Sequence, residues 1–167
     1  MKIVYQNSQE YLNKLIQTVN FLAAIPMIAF VILFIKIENN EYNPDILRES
    51  GLFFFRFLTF ILVSGIIGIA IFQFRSNLKI IRDMGDLRSK LDNYHLAVRN
   101  RSWWFEAATI LALAGMAISG EGIHALFYSM ALVAFSIFYP TILKIANNLR
   151  LEGSDREIML KQKDIPW

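Results

Sequence analysis

Four apolar runs, at about residues 19–37, 52–74, 103–119 and 123–143, dominate this 167-residue chain. Each approaches the roughly 20 residues that an α-helix needs to cross about 30 Å of hydrocarbon. In lipid, every backbone N–H and C=O must be satisfied within its own segment, and helix is the solution open to an isolated run of this length. The sequence therefore predicts an all-α, polytopic membrane protein, a bundle of four transmembrane helices forming a single membrane domain over residues 1–167. The third run is the weakest, because it is short and carries Glu106 near its start, so it leans on pairing with the fourth for insertion. The first follows a polar start, MKIVYQNSQEYLNK, and outlasts the apolar stretch of a cleavable leader. It is expected to be an uncleaved anchor, loosened at Pro26, whose missing N–H a neighbouring helix must compensate.

The charges orient this bundle. Of the 17 Lys and Arg residues, 14 fall before the first run, between the second and third, or after the fourth. Cationic residues are held on the cytoplasmic side of membranes, so both termini are expected in the cytoplasm, in a bacterial cytoplasmic (inner) membrane. Lys36, Arg48 and Arg56 remain for the outer side, whose first loop, KIENNEYNPDILRES, is acidic through Glu38, Glu41, Asp45 and Glu49, with a turn at Asn43 and Pro44. The net charge of +3 is thereby explained by topology, and no nucleic-acid partner is expected. With no cysteine in the chain, a disulfide framework, a thiolate zinc site and a cysteine nucleophile are excluded.

Between the second and third runs, residues 75–102 carry apolar side chains at Ile80, Met84, Leu87, Leu91, Tyr94 and Val98, a heptad spacing typical of helix seams. This stretch should form a cytoplasmic helical hairpin that extends helices 2 and 3. Gly85 is expected as the residue closing one helix and Asp86 as the N-cap opening the next. Its apolar edge is either buried within the hairpin or a docking face; Met84, Leu87, Leu91 and Tyr94 are the candidate packing positions. In the tail, 144–167, Ser154 and Glu157 have capping-box spacing, and Trp167 would sit at the membrane interface or against a partner.

Polar residues inside the apolar runs are the candidate sites. Arg56 lies about 7.5 Å into its segment at 1.5 Å per residue, so its long stem can reach the headgroups, or it can meet Glu49 or Glu121. Glu106 is expected in the first turn of its helix, where the positive end of the helix dipole suits an acid, with Arg99 and Arg101 just before it. His124, in the outer turn, stands near Ser119, but no oxyanion-hole signature accompanies them. Histidines 95 and 124 belong to opposite sides and cannot share one iron.

Small residues four apart, Ser64 and Gly68 in the second run and Gly115 and Ser119 in the third, let helix backbones approach closely in lipid, so the second and third helices should pack together. Ala125, Ser129, Ser136 and Pro140 share one face of the fourth and could line a polar path, though helix packing is the commoner use. No HExxH, GxSxG, GxxxxGK[ST] or dinucleotide fingerprint occurs. No catalytic residues, cofactor or metal are expected. The expected role is a non-enzymatic membrane subunit, partnered by the lipid bilayer and by copies of itself or other membrane subunits. The alternative is a small transporter or channel with a pathway between protomers; a lipid-modifying enzyme lacks a catalytic constellation.

Overall fold

The apolar runs form helices longer than the runs themselves. In the computed structural model, which describes residues 5–42, 44 and 49–165, six helices follow one another: α1 (Ser8–Glu38), α2 (Glu49–Arg82), α3 (Leu87–Ser119), α4 (His124–Ile137), α5 (Ile142–Leu149) and α6 (Gly153–Leu160). Among the described residues there are no strands; a single isolated bridge joins Asn7 and Asp164. The expectations for Lys2, Asn43, Asp45, Arg48 and Trp167, and for the Glu49 side chain, lie outside the described residues.

Helices α1, α2 and α3 are each long and apolar enough to span a membrane. The fourth run differs from expectation. Instead of one helix over 123–143 it breaks around Pro140, α4 ending at Ile137 and α5 starting at Ile142. Proline lacks an N–H and its ring clashes with the carbonyl four residues back, so the helix stops before it. Thr141 then opens α5, its hydroxyl accepting from the Lys144 N–H at 3.2 Å. Pro26, in contrast, is carried inside α1. The chain also reverses as expected after α2, where Asp86 Oδ2 accepts the Ser89 N–H at 2.9 Å and caps α3. That bond draws the Asp86 carboxyl below its ordinary value. Gly85, however, does not take the left-handed conformation of a closing residue. The capping box also fails: Glu152, not Ser154, is the N-cap of α6, and the Glu157 carboxylate is taken by Lys163 and Lys161 at 2.8 and 2.9 Å.

The chain divides into two packed units. The first comprises residues 1–20, 71–101 and 139–167; the second comprises 21–70 and 102–138. In the first unit the last four positions of the heptad seam, Leu87, Leu91, Tyr94 and Val98, are buried with Tyr5, Tyr11, Ile145, Leu149 and Met159. Ile80, assigned to the same seam from its spacing, is instead 63 % exposed. It belongs to a groove of about 190 Å³ between the end of α2 and the start of α3, where Met84 Sδ accepts from Asn93 Nδ2 at 3.5 Å. Hydrogen bonds knit the unit together: Tyr11 Oη donates to the Leu91 carbonyl at 2.8 Å, Tyr5 Oη to Asp92 Oδ1 at 2.9 Å, and Asn148 Nδ2 to Tyr94 Oη at 3.0 Å. Burial, and then the Asp92 carboxylate, push the Tyr5 hydroxyl well above the ordinary phenol range. The two ends of the chain meet here, since Ser8 Oγ donates to the Met159 carbonyl at 3.2 Å and the Ile165 N–H to the Gln6 carbonyl at 2.9 Å.

In the second unit the core is small and tight: Val63 from α2, Ala108 and Ala112 from α3, and Tyr128 and Ala131 from α4. Alanines at helix contacts let the backbones close together, so that dispersion acts over a large area. The outer faces carry large apolar side chains in the open, Phe53 at 76 % and Phe21 at 68 % exposure among them, as suits helices whose surroundings are themselves hydrocarbon.

Candidate functional site

The polar residues of the second unit fall into two groups. The first surrounds the turn between α3 and α4. Gly120, with φ of 66°, ends α3 in the left-handed conformation that glycine adopts without strain, and the chain re-enters helix at His124 after three residues. Ser119 is the hub of this turn. Its hydroxyl donates to the Gly115 carbonyl at 2.9 Å, accepts the Glu121 N–H at 3.2 Å, and lies 3.1 Å from His124 Nδ1. With the single hydroxyl proton given to Gly115, the hydrogen shared with the imidazole belongs to Nδ1. Nε2 then carries a lone pair, and it has no partner.

The wholly buried imidazole lies against Gly115 of α3, which the Thr59 methyl of α2 also approaches, with Phe55 and Phe127 rings at 5.7 and 5.4 Å. Because Ser119 and His124 fix the turn, Glu121 is held toward α2. There its carboxylate meets the Arg56 guanidinium in a two-bond fork: Nε to Oε2 at 2.8 Å and Nη2 to Oε1. Planar guanidinium and planar carboxylate match in this arrangement. The Arg56 hydrogen bond is also the main cause that lowers the Glu121 carboxyl below its usual range.

Of the two acids offered to Arg56 by the sequence, Glu121 is thus its partner in the structure. Arg56 keeps part of its side chain open, whereas His124, Ser119 and Gly115 interlock behind it. Chemically this is a latch. The histidine donates to the serine rather than taking its proton, so the pair is not arranged as base and nucleophile.

The second group centres on Glu106. Glu106 does not occupy the first turn of a helix, because α3 begins at Leu87 rather than near Trp103; the dipole rationale therefore fails. The carboxyl is 4 % exposed and its Oε2 has no hydrogen-bond partner. Thr109, on the same face, gives its hydroxyl at 2.7 Å to the main-chain carbonyl of Glu106, not to the carboxylate. Tyr128 on α4 is 1 % exposed, stacks on Phe30 with ring centroids 4.2 Å apart, and leaves its hydroxyl unpartnered. Ser64 Oγ is a further buried oxygen without a partner. Tyr128 did not stand out from the sequence, yet its position was legible: His124, Tyr128, Ala131 and Phe135 recur at the spacing of a buried helix face.

The small-residue expectations divide. Gly115 is filled by the His124 ring, whereas Gly65 and Gly68 face open space, since a Cβ placed at either would meet nothing within 4 Å. Helices α2 and α3 do pack together, but through Thr59 and Val63 against Gly115, Ala108 and Ala112, not through Gly68. Ser129 and Ser136 are exposed on α4, away from its buried face. The other expected packing positions, Leu87, Leu91 and Tyr94, are buried in the first unit. His95 is also buried there, edge-on to Tyr11 at 6.4 Å between centroids. No group of three or more histidine, cysteine or acidic side chains able to hold a metal occurs among the described residues. Comparisons with family models, with curated proteins and with solved structures give no match.

Proposed function

We propose that this chain is a non-enzymatic integral membrane subunit that crosses the bilayer four times and assembles side by side with copies of itself or with other membrane subunits. The path of the chain supports the even number of crossings. The chain passes from the first unit to the second after Asn20 and back at Ile71, and again after Arg101 and back at Tyr139, a pattern that two helical hairpins would produce. The two ends are bonded together within the first unit, which agrees with ends on one side; α4 would make the last crossing, since α5 belongs to the first unit. The first unit also holds 14 of the 17 Lys and Arg residues, the balance expected of a cytoplasmic unit.

The observation that carries assembly is the open side of α2. Gly65 and Gly68 offer a backbone surface that nothing among the described residues covers, continued along the same face by exposed Leu58 and Ile61. In lipid, burying one apolar face against another gains little from hydrophobicity, so close backbone approach at small residues is what drives association. The test uses the absence of cysteine. A Gly65→Cys variant should crosslink to a second copy under mild oxidation, and gentle-detergent mass measurement should exceed one chain. Gly68→Leu should reduce the particle to a single chain while leaving its helix content intact, since the added side chain meets nothing within the protomer. A partner-free monomer in native lipid extract sinks the proposal.

A second reading, a transporter or channel with its pathway between copies, draws on Ser129 and Ser136, which α4 turns outward. Flux in reconstituted vesicles that is lost in the Ser129→Leu, Ser136→Leu double variant would favour it; unchanged flux would remove these residues from a pathway.

A further inference from the structure

We infer that Glu106 is the seat of a small monovalent cation, a proton or a sodium ion, held inside the second unit. Glu106 lies in the middle of α3, 4 % exposed, with its Oε2 buried and without a hydrogen-bond partner. Among the described residues no lysine, arginine or histidine forms an ion pair with it. Ser102 and Thr109, four residues before and three after, share its helix face and are themselves buried. Thr109 is committed to the backbone. From α4, Tyr128 is the titratable group of the packed core, set against Ala108 and Ala112 of α3. Its hydroxyl is buried without a partner, as is Ser64 Oγ on α2.

These oxygen atoms have unused lone pairs. A lone ionised carboxylate in such surroundings is strongly disfavoured, and buried polar atoms are as a rule satisfied by protein, water or an ion. Hard oxygen donors suit a hard cation. One unit of negative charge without an ion-pair partner calls for one unit of positive charge. The size of the ion is bounded by the tight alanine packing of α3 against α4. A proton would neutralise the carboxyl outright; a sodium ion would sit on the carboxylate oxygens. This inference concerns the interior of one chain and stands or falls independently of its assembly.

The test is covalent labelling of the unaltered full chain, in detergent and in vesicles, with dicyclohexylcarbodiimide, an apolar reagent that attacks carboxyls in apolar surroundings. The carboxyl O–H adds across a C=N bond of the reagent, and acyl transfer to nitrogen leaves a stable adduct carrying the whole reagent mass. Peptide mass mapping should find the adduct on Glu106 and not on exposed Glu157. If a proton is the occupant, labelling should fall to background as the buffer is made alkaline and should be indifferent to sodium. If sodium is the occupant, labelling at fixed pH should fall to background as sodium chloride replaces choline chloride. Absence of an adduct on Glu106 in folded protein, or labelling insensitive to both alkali and sodium, overturns the inference. Because the measurement is made on the native sequence, it does not depend on whether Glu106→Gln folds.

Discussion

The His124 ring occupies the space that any side chain at position 115 would need: a Cβ built on Gly115 falls 2.6 Å from His124 Cδ2 and 3.1 Å from Thr59 Cγ2. The glycine thus admits a ring from α4 and a methyl from α2 to the same spot on α3.

Gly115→Ala should therefore destabilise the protein although alanine is the better helix former. The ring cannot retreat without giving up the Ser119 hydrogen bond, and overpacking of this kind costs about 1–3 kcal/mol, more than the roughly 1 kcal/mol that alanine gains over glycine in a helix. Gly68→Ala meets nothing within 4 Å and should be neutral or slightly stabilising in the protomer. Thermal unfolding in detergent, with the two variants compared side by side, checks the contrast; equal midpoints would show that the histidine can move aside.

The Arg56 and Glu121 pair should make stability depend on acid pH. Glu121 has a lower value in the folded protein than in the unfolded chain, chiefly through the Arg56 hydrogen bond. Its contribution is complete above the ordinary carboxylate range and disappears as the pH falls through the lowered folded value. The midpoint of thermal unfolding should accordingly drop on acidification below about pH 4.5, near the usual glutamate value. Glu121→Gln should flatten that part of the profile and lower stability at neutral pH. The effect should be modest, because Arg56 is exposed and exposed pairs contribute little.

The two ends of the chain should be joinable by one disulfide. Asn7 and Asp164 face each other in an antiparallel bridge, where Cα atoms stand about 4.5–5.5 Å apart, within the span that a disulfide tolerates. In this cysteine-free chain, the Asn7→Cys, Asp164→Cys double variant should oxidise within one molecule and migrate faster on non-reducing gels. Crosslinks formed only between molecules would separate the ends.

The apolar runs, their helical state and the excess of basic residues in three segments were legible because each follows from local chemistry. A run of some twenty apolar residues has few alternatives to helix where no water can satisfy its backbone, and Asp86 caps α3 because a carboxylate at that position reaches the N–H three residues on. Pro140 explains in the same local terms why the fourth run breaks. What the chain alone left open was which side chains meet. Arg56 and Glu121 are 65 positions apart, and their pairing depends on the turn that Ser119 and His124 hold. Gly68 and Gly115 look alike in sequence, yet one faces open space and the other receives a ring. Periodicity gives the face of a helix, but the neighbour opposite that face is set by packing with all the other helices at once, and only the tertiary structure decides it.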